Sequence, residues 1–455
     1  YQIRIAAAGG GPRRQGDYVW EFSTAVPELI AANPADQTEA VDVGLEEVRL
    51  IFSAPIDEAK LRPNPFLLSR EGQPVELRSG DPVDRGDNTY GLAPAGGFQV
   101  GTRYQLQISP VVSGPLGSGK TGKLVFSTAV PVLVGRTPAD GDTALVDLSS
   151  AIEARFDGLI NEPALRGNVE LLVSGERVAI STPSYDSESG VVSFTSEDQL
   201  KPGTAYKVRI ASAVGGELLE QPDAFTWDFS TRIPSVIATS PVDEDNTESG
   251  PQRLEVVFSG PVDPNLVDSR SFTLSRLGEP IVLPDDEFSY DPETFTVRFP
   301  AVDLRAGSAY EASVNARVSG PLARQIRLPD RHWSFTTEIP QVLESRPADG
   351  SDGVSINDAN LQISFTESTA RQDKGDFQIS ARSLDDPEAP VELVSITGFG
   401  ANENGTVINF APEGGLKPFT EYQITMDRLV LGDLAQSGFS WTFRTASSLA
   451  DARQG

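Results

Sequence analysis

One strand-length segment occurs five times along the chain at nearly regular spacing. The copies read WEFSTAVP, LVFSTAVP, WDFSTRIP, WSFTTEIP and WTFRTASS, and their phenylalanines are Phe22, Phe126, Phe229, Phe335 and Phe443. These phenylalanines are separated by 104, 103, 106 and 108 residues. Self-similarity at a fixed period indicates an array of similar structural units. The 455 residues are therefore expected to hold four whole units and the end of another.

Three further segments recur in a fixed order inside each unit. An acidic turn opens the unit, as in NPADQT (33–38), and a strand end such as LIFSAPID (50–57) follows it. A tyrosine strand, as in GTAYKVRI (203–210), comes shortly before the closing segment. The four tryptophans of the chain all lie two residues before a repeated phenylalanine, and they are Trp20, Trp227, Trp333 and Trp441. Leu124 stands at that position in the remaining copy.

Apolar and polar residues alternate inside these segments. In one tyrosine strand, Tyr206, Val208 and Ile210 alternate with Lys207 and Arg209. A period of two is typical of antiparallel strands with one buried face. Short strands between Gly, Pro and Asp turns, at about 100 residues a unit, predict a β-sandwich of roughly seven strands. The closing Trp and Phe are expected to fill its core, and the repeated tyrosine to form a tyrosine corner.

Taken together, these segments resemble the bacterial Ig-like domains found in tandem on cell-surface and secreted proteins. The resemblance rests on the opening P-x-D-G, the strand end F-S-x-P-[IV]-D, the turn LKPGTAY (200–206) and the closing W-x-F-[ST]-T. It covers almost the whole chain, but Leu124 replaces Trp, RFDGLIN (155–161) lacks the proline and LKPFTEY (416–422) lacks the glycine. It implies an all-β fold of tandem Ig-like sandwiches and an extracellular or bacterial cell-surface location.

The repeats divide the chain into a partial domain, four whole domains and a tail. The expected bounds are 1–26 for the partial domain, 27–130, 131–233, 234–339 and 340–446 for the whole domains, and 447–455 for the tail. Prolines in the short joins fix φ and stiffen the connections. Strands of about 12 residues, at ~3.3 Å per residue, make each domain roughly 40 Å long. The domains are therefore expected to form an elongated, semi-rigid rod.

The partial domain raises a question about assembly. Residues 1–24 correspond to only the last two strands of a unit. Either the protein continues upstream of Tyr1, or a neighbouring subunit donates the missing strands by β-strand addition. The mass of the intact polypeptide separates the two, because a chain much heavier than 48.7 kDa needs no donated strands.

Composition excludes several classes of partner. The chain has 37 basic and 65 acidic residues and a net charge of −28, which argues against binding to nucleic acid or to an anionic membrane surface. It contains no cysteine, so its domains form without disulfides or cysteine-bound metals. No stretch approaches the roughly 18 apolar residues of a membrane span. These features favour a folded, acidic protein with protein or cell-surface partners.

One segment matches a nucleotide-binding motif. GPLGSGKT (114–121) has Gly114, Gly119, Lys120 and Thr121 where a phosphate-binding loop requires them. Such a loop also needs a strand before it and a helix N-terminus after it. Alternating sequence on both sides predicts strand, loop, strand. The segment is therefore interpreted as the tip of a hairpin.

Acidic turns give the chain its candidate metal site. Pairs of aspartates recur where one domain should meet the next, and they are Asp140 and Asp142, Asp243 and Asp245, and Asp349 and Asp352. Calcium takes six to eight oxygen ligands, so these carboxylates are candidate calcium ligands. The alternative is that the aspartates accept backbone N–H bonds within their turns. No other cofactor is expected.

Two other features are weaker. Arg85-Gly86-Asp87 is the tripeptide that animal integrins recognise, although Gly and Asp are ordinary turn residues. His332 is the only histidine, so a catalytic triad or zinc site built on histidine would lack partners.

The leading hypothesis is a non-enzymatic extracellular structural or spacer protein acting in cell-surface assembly, filaments or adhesion. Its partners would be other protein subunits or cell-surface components. The alternative is a binding module that recognises a glycan or a protein through its interstrand loops. An enzyme ranks third, because it would require a catalytic domain that this stretch does not contain.

Overall fold

The computed structural model describes residues 1–6, 16–113, 122–247, 250–356, 361–366, 378–386, 388, 392–402, 405–412 and 414–447. These residues form 39 strands, several 3-10 turns and one short α-helix, α1 (Pro321–Gln325). The fold is therefore all-β, which confirms the prediction from the period of two. No helix in the described part of the chain is long and apolar enough to cross a membrane.

The first two strands form a separate antiparallel hairpin, β1 (Gln2–Ile5) and β2 (Tyr18–Glu21). Ile3 lies opposite Trp20, and the Tyr1 and Phe22 rings stack at 5.3 Å. Trp20 and Phe22 are each 46% exposed. In this two-stranded hairpin the closing Trp and Phe are therefore half-exposed, whereas the prediction that the pair fills a core concerns the whole domains.

The first whole domain is a two-layer sandwich. Its strands are β3 (Leu29–Asn33), β4 (Thr38–Val41), β5 (Val48–Phe52), β6 (Phe66–Arg70), β7 (Gln73–Pro74), β8 (Val83–Asp84), β9 (Thr89–Leu92), β10 (Arg103–Ile108) and β11 (Gly122–Thr128). One sheet has the order β3-β5-β9-β8 and the other β4-β11-β10-β6-β7. The opening segment of the domain thus contributes to both sheets, β3 to one and β4 to the other. β4 runs parallel to β11.

The second domain repeats this arrangement. Its strands are β12 (Leu133–Thr137), β13 (Asp142–Leu145), β14 (Ile152–Phe156), β15 (Val169–Val173), β16 (Glu176–Val178), β17 (Ser184–Asp186), β18 (Val191–Phe194), β19 (Ala205–Ile210) and β20 (Phe225–Thr231). The sheets have the orders β12-β14-β18-β17 and β13-β20-β19-β15-β16.

The third domain adds a short third sheet. Its strands are β21 (Val236–Ser240), β22 (Asp245–Thr247), β23 (Gly250–Gln252), β24 (Glu255–Phe258), β25 (Phe272–Arg276), β26 (Glu279–Ile281), β27 (Ser289–Asp291), β28 (Thr296–Arg298), β29 (Val302–Leu304), β30 (Ala309–Val314) and β31 (Arg331–Thr337). The main sheets are β21-β24-β28-β27 and β22-β31-β30-β25-β26, and β23 pairs with β29.

The fourth domain joins its two layers into one continuous sheet. Its strands are β32 (Val342–Arg346), β33 (Ser351–Val354), β34 (Leu361–Phe365), β35 (Ile379–Ser383), β36 (Glu392–Asn402), β37 (Gly405–Pro412), β38 (Glu421–Met426) and β39 (Phe439–Thr445). The order is β32-β34-β37-β36-β35-β38-β39-β33, and the long β36 pairs with both β37 and β35.

Each domain contains more strands than the roughly seven expected; the described parts of the first and second domains have nine each. The additional strands come from two places. The opening segment divides at its acidic turn, which follows a cis X-Pro bond at Pro34, Pro138, Pro241 and Pro347. The second additional strand forms a short hairpin with the strand before it, and these strands are β7 after β6, β16 after β15 and β26 after β25. Residues of positive φ form the turn of such a hairpin, as at Ser174 and Gly175.

The repeated aromatic residues lie in the cores of the whole domains. Trp227, Trp333 and Trp441 are 1–2% exposed, as predicted. The tyrosine ring stacks on the closing phenylalanine, at 5.4 Å for Tyr104 and Phe126. The tyrosine corner is also present. The hydroxyl accepts a bond from a backbone N–H five residues earlier, from Gln99 to Tyr104 (2.9 Å), Arg305 to Tyr310 (2.7 Å) and Lys417 to Tyr422 (2.9 Å).

Contacts between residues divide the chain into two compact units. The first comprises Tyr1–Thr143, Ser149–Gln199 and Ala205–Ser230. The second comprises Ala144–Leu148, Leu200–Thr204 and Thr231–Gly455. The first and second domains therefore meet mainly inside one unit, and the third and fourth inside the other.

Candidate functional site

The acidic turns bind the closing strands of their own domains. The first carboxylate of each turn accepts a backbone N–H from the residue between the repeated Trp and Phe positions. These bonds join Asp36 to Val125 (2.8 Å), Asp140 to Asp228 (3.1 Å), Asp243 to Ser334 (2.9 Å) and Asp349 to Thr442 (2.8 Å). The repeated aspartate thus fastens the opening turn to the last strand.

The second aspartates make more local contacts. Asp245 accepts the N–H of Asn246, and Asp352 accepts that of Gly353, both at 2.9 Å. Asp142 also has an interaction within the protein. In the described residues, no three or more Asp, Glu, His or Cys side chains cluster in a way that could hold a metal ion. Calcium binding at these turns stays a prediction.

The Arg-Gly-Asp tripeptide contributes its arginine to an ion cluster around the buried Glu47. The Arg85 guanidinium lies 2.6 Å from Glu47, whose side chain is 5% exposed, and Arg49 lies 2.9 Å from the other carboxylate oxygen. Burial raises the pKa of Glu47, but the bonds and charges of Arg85 and Arg49 outweigh burial and lower it overall. Gly86 and Asp87 have positive φ and form the turn after β8. The arginine of the tripeptide therefore serves its own domain.

The phosphate-loop motif, residues 114–121, lies outside the described residues. The elements on either side of it are described. β10 precedes it through a 3-10 turn, and β11 begins at Gly122 and pairs antiparallel with β10. A strand therefore begins one residue after Thr121, where a phosphate loop needs a helix. The strands predicted on both sides of the motif are therefore present, while the loop between them stays a prediction.

His332 lies exposed on β31 opposite Ser313. Nothing in the described residues surrounds it with a metal-binding cluster.

A buried threonine is a residue whose role sequence reasoning missed. In each whole domain, the Thr that ends the closing motif accepts a hydrogen bond from the backbone N–H two residues before the repeated tyrosine. Its hydroxyl also donates to a backbone carbonyl earlier in the turn that precedes this tyrosine. Thr128 accepts from Thr102 (2.9 Å) and donates to Gln99 (2.6 Å), and Thr231, Thr337 and Thr445 make the same pair of bonds. Its recurrence in all four domains was the signal that could have identified it.

Grooves lie at two joins, one between the first and second domains and one between the β1–β2 hairpin and the first domain. One, of about 590 Å³, is lined by the join at Ala129–Pro131 and by Phe156–Leu159 and Ser187–Gly190 of the second domain. The other, of about 650 Å³, lies between the hairpin end at Tyr1 and the first domain near Pro55–Asp57. Both combine apolar side chains with a few hydroxyls and charges. Both grooves are candidate ligand-binding sites formed by the loops.

A family model described as bacterial Ig-like domain matches the chain at residues 23–128, 127–231, 230–337 and 338–445. No curated protein matches the chain.

Several solved structures of multidomain proteins are also similar to the chain. Domains 1–6 of the surface layer protein SbsC match at 12% identity and a TM-score of 0.19, covering 93% of this chain and 54% of that one. SbsC domains 4–9 match at 9% and 0.31, covering 96% and 68%. Sidekick-1 immunoglobulin domains 1–5 match at 11% and 0.22, covering 95% and 83%. The chain thus spans about half the length of the first of these, 54%.

Proposed function

Because the chain belongs to the family of bacterial Ig-like domains, with four in tandem across residues 23–445, we propose that it is a non-enzymatic, extracellular structural protein. It would space or display other components at a bacterial cell surface, in envelope assembly, a filament or adhesion. Its partners would be other protein subunits or surface components. The rod-like arrangement expected from the proline joins stays a prediction.

One observation carries this proposal. The polar residues that recur from domain to domain are engaged in holding their own domain together. The repeated Asp binds the closing strand, the repeated Tyr accepts from its own turn, and the repeated Thr fastens that turn to the core. A chain whose recurring polar groups are used for folding fits a structural role better than a catalytic one.

Localisation in the native cell tests the proposal. Intact cells would be treated with a protease that does not enter them, and the chain would be followed by antibody beside a cytoplasmic control protein. We expect loss of the chain with the control protein intact. Protection of the chain until the cells are lysed would contradict an extracellular role.

The grooves at the joins favour a second candidate function, recognition of a glycan or a protein segment. A glycan array and a pull-down from cell-envelope extract, each with the full chain, test it. Tyr185 lines the first groove, and Tyr185→Ala should abolish the binding of any ligand that this groove recognises. Binding that the substitution leaves unchanged would exclude that groove.

A further inference from the structure

The first and second domains meet through two glycines. Gly101 precedes the tyrosine strand β10 and has a φ of +51°. Its N–H donates to Ala129 of its own domain (2.9 Å), and its carbonyl accepts the N–H of Leu218 in the second domain (2.7 Å). A Cβ added to Gly101 would overlap the carbonyl oxygen of Gly215 and lie 3.2 Å from the Cα of Gly216. A side chain at this position is therefore incompatible with the observed contact.

The second domain has the same requirement on its side. Gly216 follows a 3-10 turn and has a φ of +93°. A Cβ there would overlap the carbonyl oxygen of Val100 and lie 2.8 Å from the Cα of Gly101. The two backbones thus approach so closely that both residues must be glycine.

The third and fourth domains meet in the same way. Gly307, with a φ of +56°, accepts the N–H of Leu434 at 2.8 Å. A Cβ on Gly307 would overlap Leu431, and a Cβ on Gly432 would lie 2.6 Å from the Cα of Gly307. The contact is therefore repeated along the chain, each time inside one compact unit, and each time a Gly-x-Leu segment enters the turn of the preceding domain.

A charged contact accompanies each glycine pair. Arg70 at the end of β6 lies 4.0 Å from Glu217, and Arg276 at the end of β25 lies 3.8 Å from Asp433. Asp433 also accepts the hydroxyl of Ser308 (3.2 Å). Burial and the nearby Glu71 raise the pKa of Glu217 more than Arg70 lowers it. At 4.0 Å and with both side chains more than a third exposed, this ion pair contributes little beside the backbone contact.

Between the second and third domains, the sequence keeps the glycines and changes the charged residues together. Gly203 and Gly320 stand at the two glycine positions. Val173 takes the place of the arginine, and Pro321 that of the acid. The arginine and the acid are thus replaced as a pair.

The fourth domain lacks both features on the side where a next domain would dock. Phe419 occupies the turn position of Gly101 and Gly307, with the same φ of +55° and the same kind of bond, from its N–H to Ala446 (3.2 Å). Its side chain is 65% exposed. Ser383, at the end of β35, lies opposite Tyr422 as Arg276 lies opposite Tyr310.

We propose that the turn before each tyrosine strand is a docking surface for another Ig-like domain of this repeat, and that Phe419 closes the surface on the fourth domain. The occupant is a domain that presents Gly-x-Leu after its 3-10 turn. This inference is independent of where the protein acts.

The first test substitutes Gly101 with Ala in the full chain. Because the chain has no cysteine, spin labels can be attached to single cysteines introduced at the exposed Lys123 and Glu176, one in each of the first two domains. The wild type should give a narrow distribution of label distances, and G101A a broad one. Gly80 is the matched control, since its φ is +73° and a Cβ there would meet nothing within 4 Å. An unchanged distribution in G101A, or equal broadening in G80A, would overturn the docking contact.

The second test places Phe, the residue found at position 419 of the fourth domain, at Gly307 in the contact between the third and fourth domains. Phe419 shows that the turn itself accommodates Phe at this φ, so Gly307→Phe should leave the third domain folded. Labels at the exposed Glu279 and Lys417 report the distance between the third and fourth domains. We expect G307F to broaden or shift the distribution, with hydrogen exchange of β30 kept within about tenfold of wild type. A distribution identical to the wild type would refute closure by Phe419, whatever cell localisation shows.

Discussion

At the scale of single residues, the repeated threonine gives the sharpest test of how each turn is held. Thr231 is fully buried, accepts the N–H of Thr204 at 3.0 Å and donates to Lys201 at 2.7 Å. Thr231→Val keeps the shape but leaves a buried N–H without its partner, which costs about 2 kcal/mol. Hydrogen exchange of β19 and β20 in the full chain should accelerate accordingly.

Thr226 on the same strand is the matched control. Its buried hydroxyl has no hydrogen-bond partner in the structure. Thr226→Val should therefore be neutral or slightly stabilising. If both variants cost the same, the loss in T231V reflects packing and not the turn contact.

Glu47 predicts a pH dependence for the first domain. Its pKa is lowered below the ordinary 4.5, so the stability it contributes is present above that value and is lost as pH falls through the lowered pKa. Glu47→Gln should cost about 1 kcal/mol at pH 7. By calorimetry of the full chain, the difference between wild type and E47Q should shrink between pH 5 and the acid limit of folding. A difference that grows with acid would contradict this sign.

At the scale of elements, the acidic turns hold the opening strands to the closing ones. Asp243→Ala should loosen the edge between β22 and β31 by about 1 kcal/mol, because the Ser334 N–H loses its acceptor. Asp245→Ala should have a smaller effect, since that carboxylate binds the adjacent Asn246. Hydrogen exchange of β31 measures both.

Calcium distinguishes the two interpretations of these turns. If the turns act through backbone bonds, the cost of D243A is the same in calcium and in EDTA. If they bind calcium, both D243A and D245A lose stability that only calcium supplies.

The long strands could be predicted from the sequence, and the short ones could not. β19 alternates from Tyr206 to Ile210, and the structure buries Tyr206, Val208 and Ile210 as expected. β22 has three residues, too few for a period of two to be recognised. The docking glycines were also missed, because a turn glycine with positive φ occurs for local reasons and only the neighbouring domain shows why Gly101 tolerates no side chain.

At the scale of the whole molecule, each domain has its own aromatic core. The core of the third domain includes Trp333, Phe299 and Phe335, while that of the first is built around Phe52, Phe66 and residues near them. A defect in one core should therefore stay largely in one domain.

Trp333→Leu tests this independence with the residue type that the first domain carries at Leu124. It should destabilise the third domain by about 2–4 kcal/mol through lost burial and a residual cavity. Hydrogen exchange should quicken in β30 and β31 and stay unchanged in β10 and β11. Parallel loss in the first domain would mean that the domains unfold as one cooperative unit.

The parallel pairing of the second strand of a domain with its last strand has a mechanical consequence. β4 runs parallel to β11, β22 to β31 and β33 to β39. Tension applied to the two ends of such a domain pulls these neighbours in opposite directions along their length. The bonds between them are then sheared together and not peeled apart one by one, so this edge of the domain resists stretching.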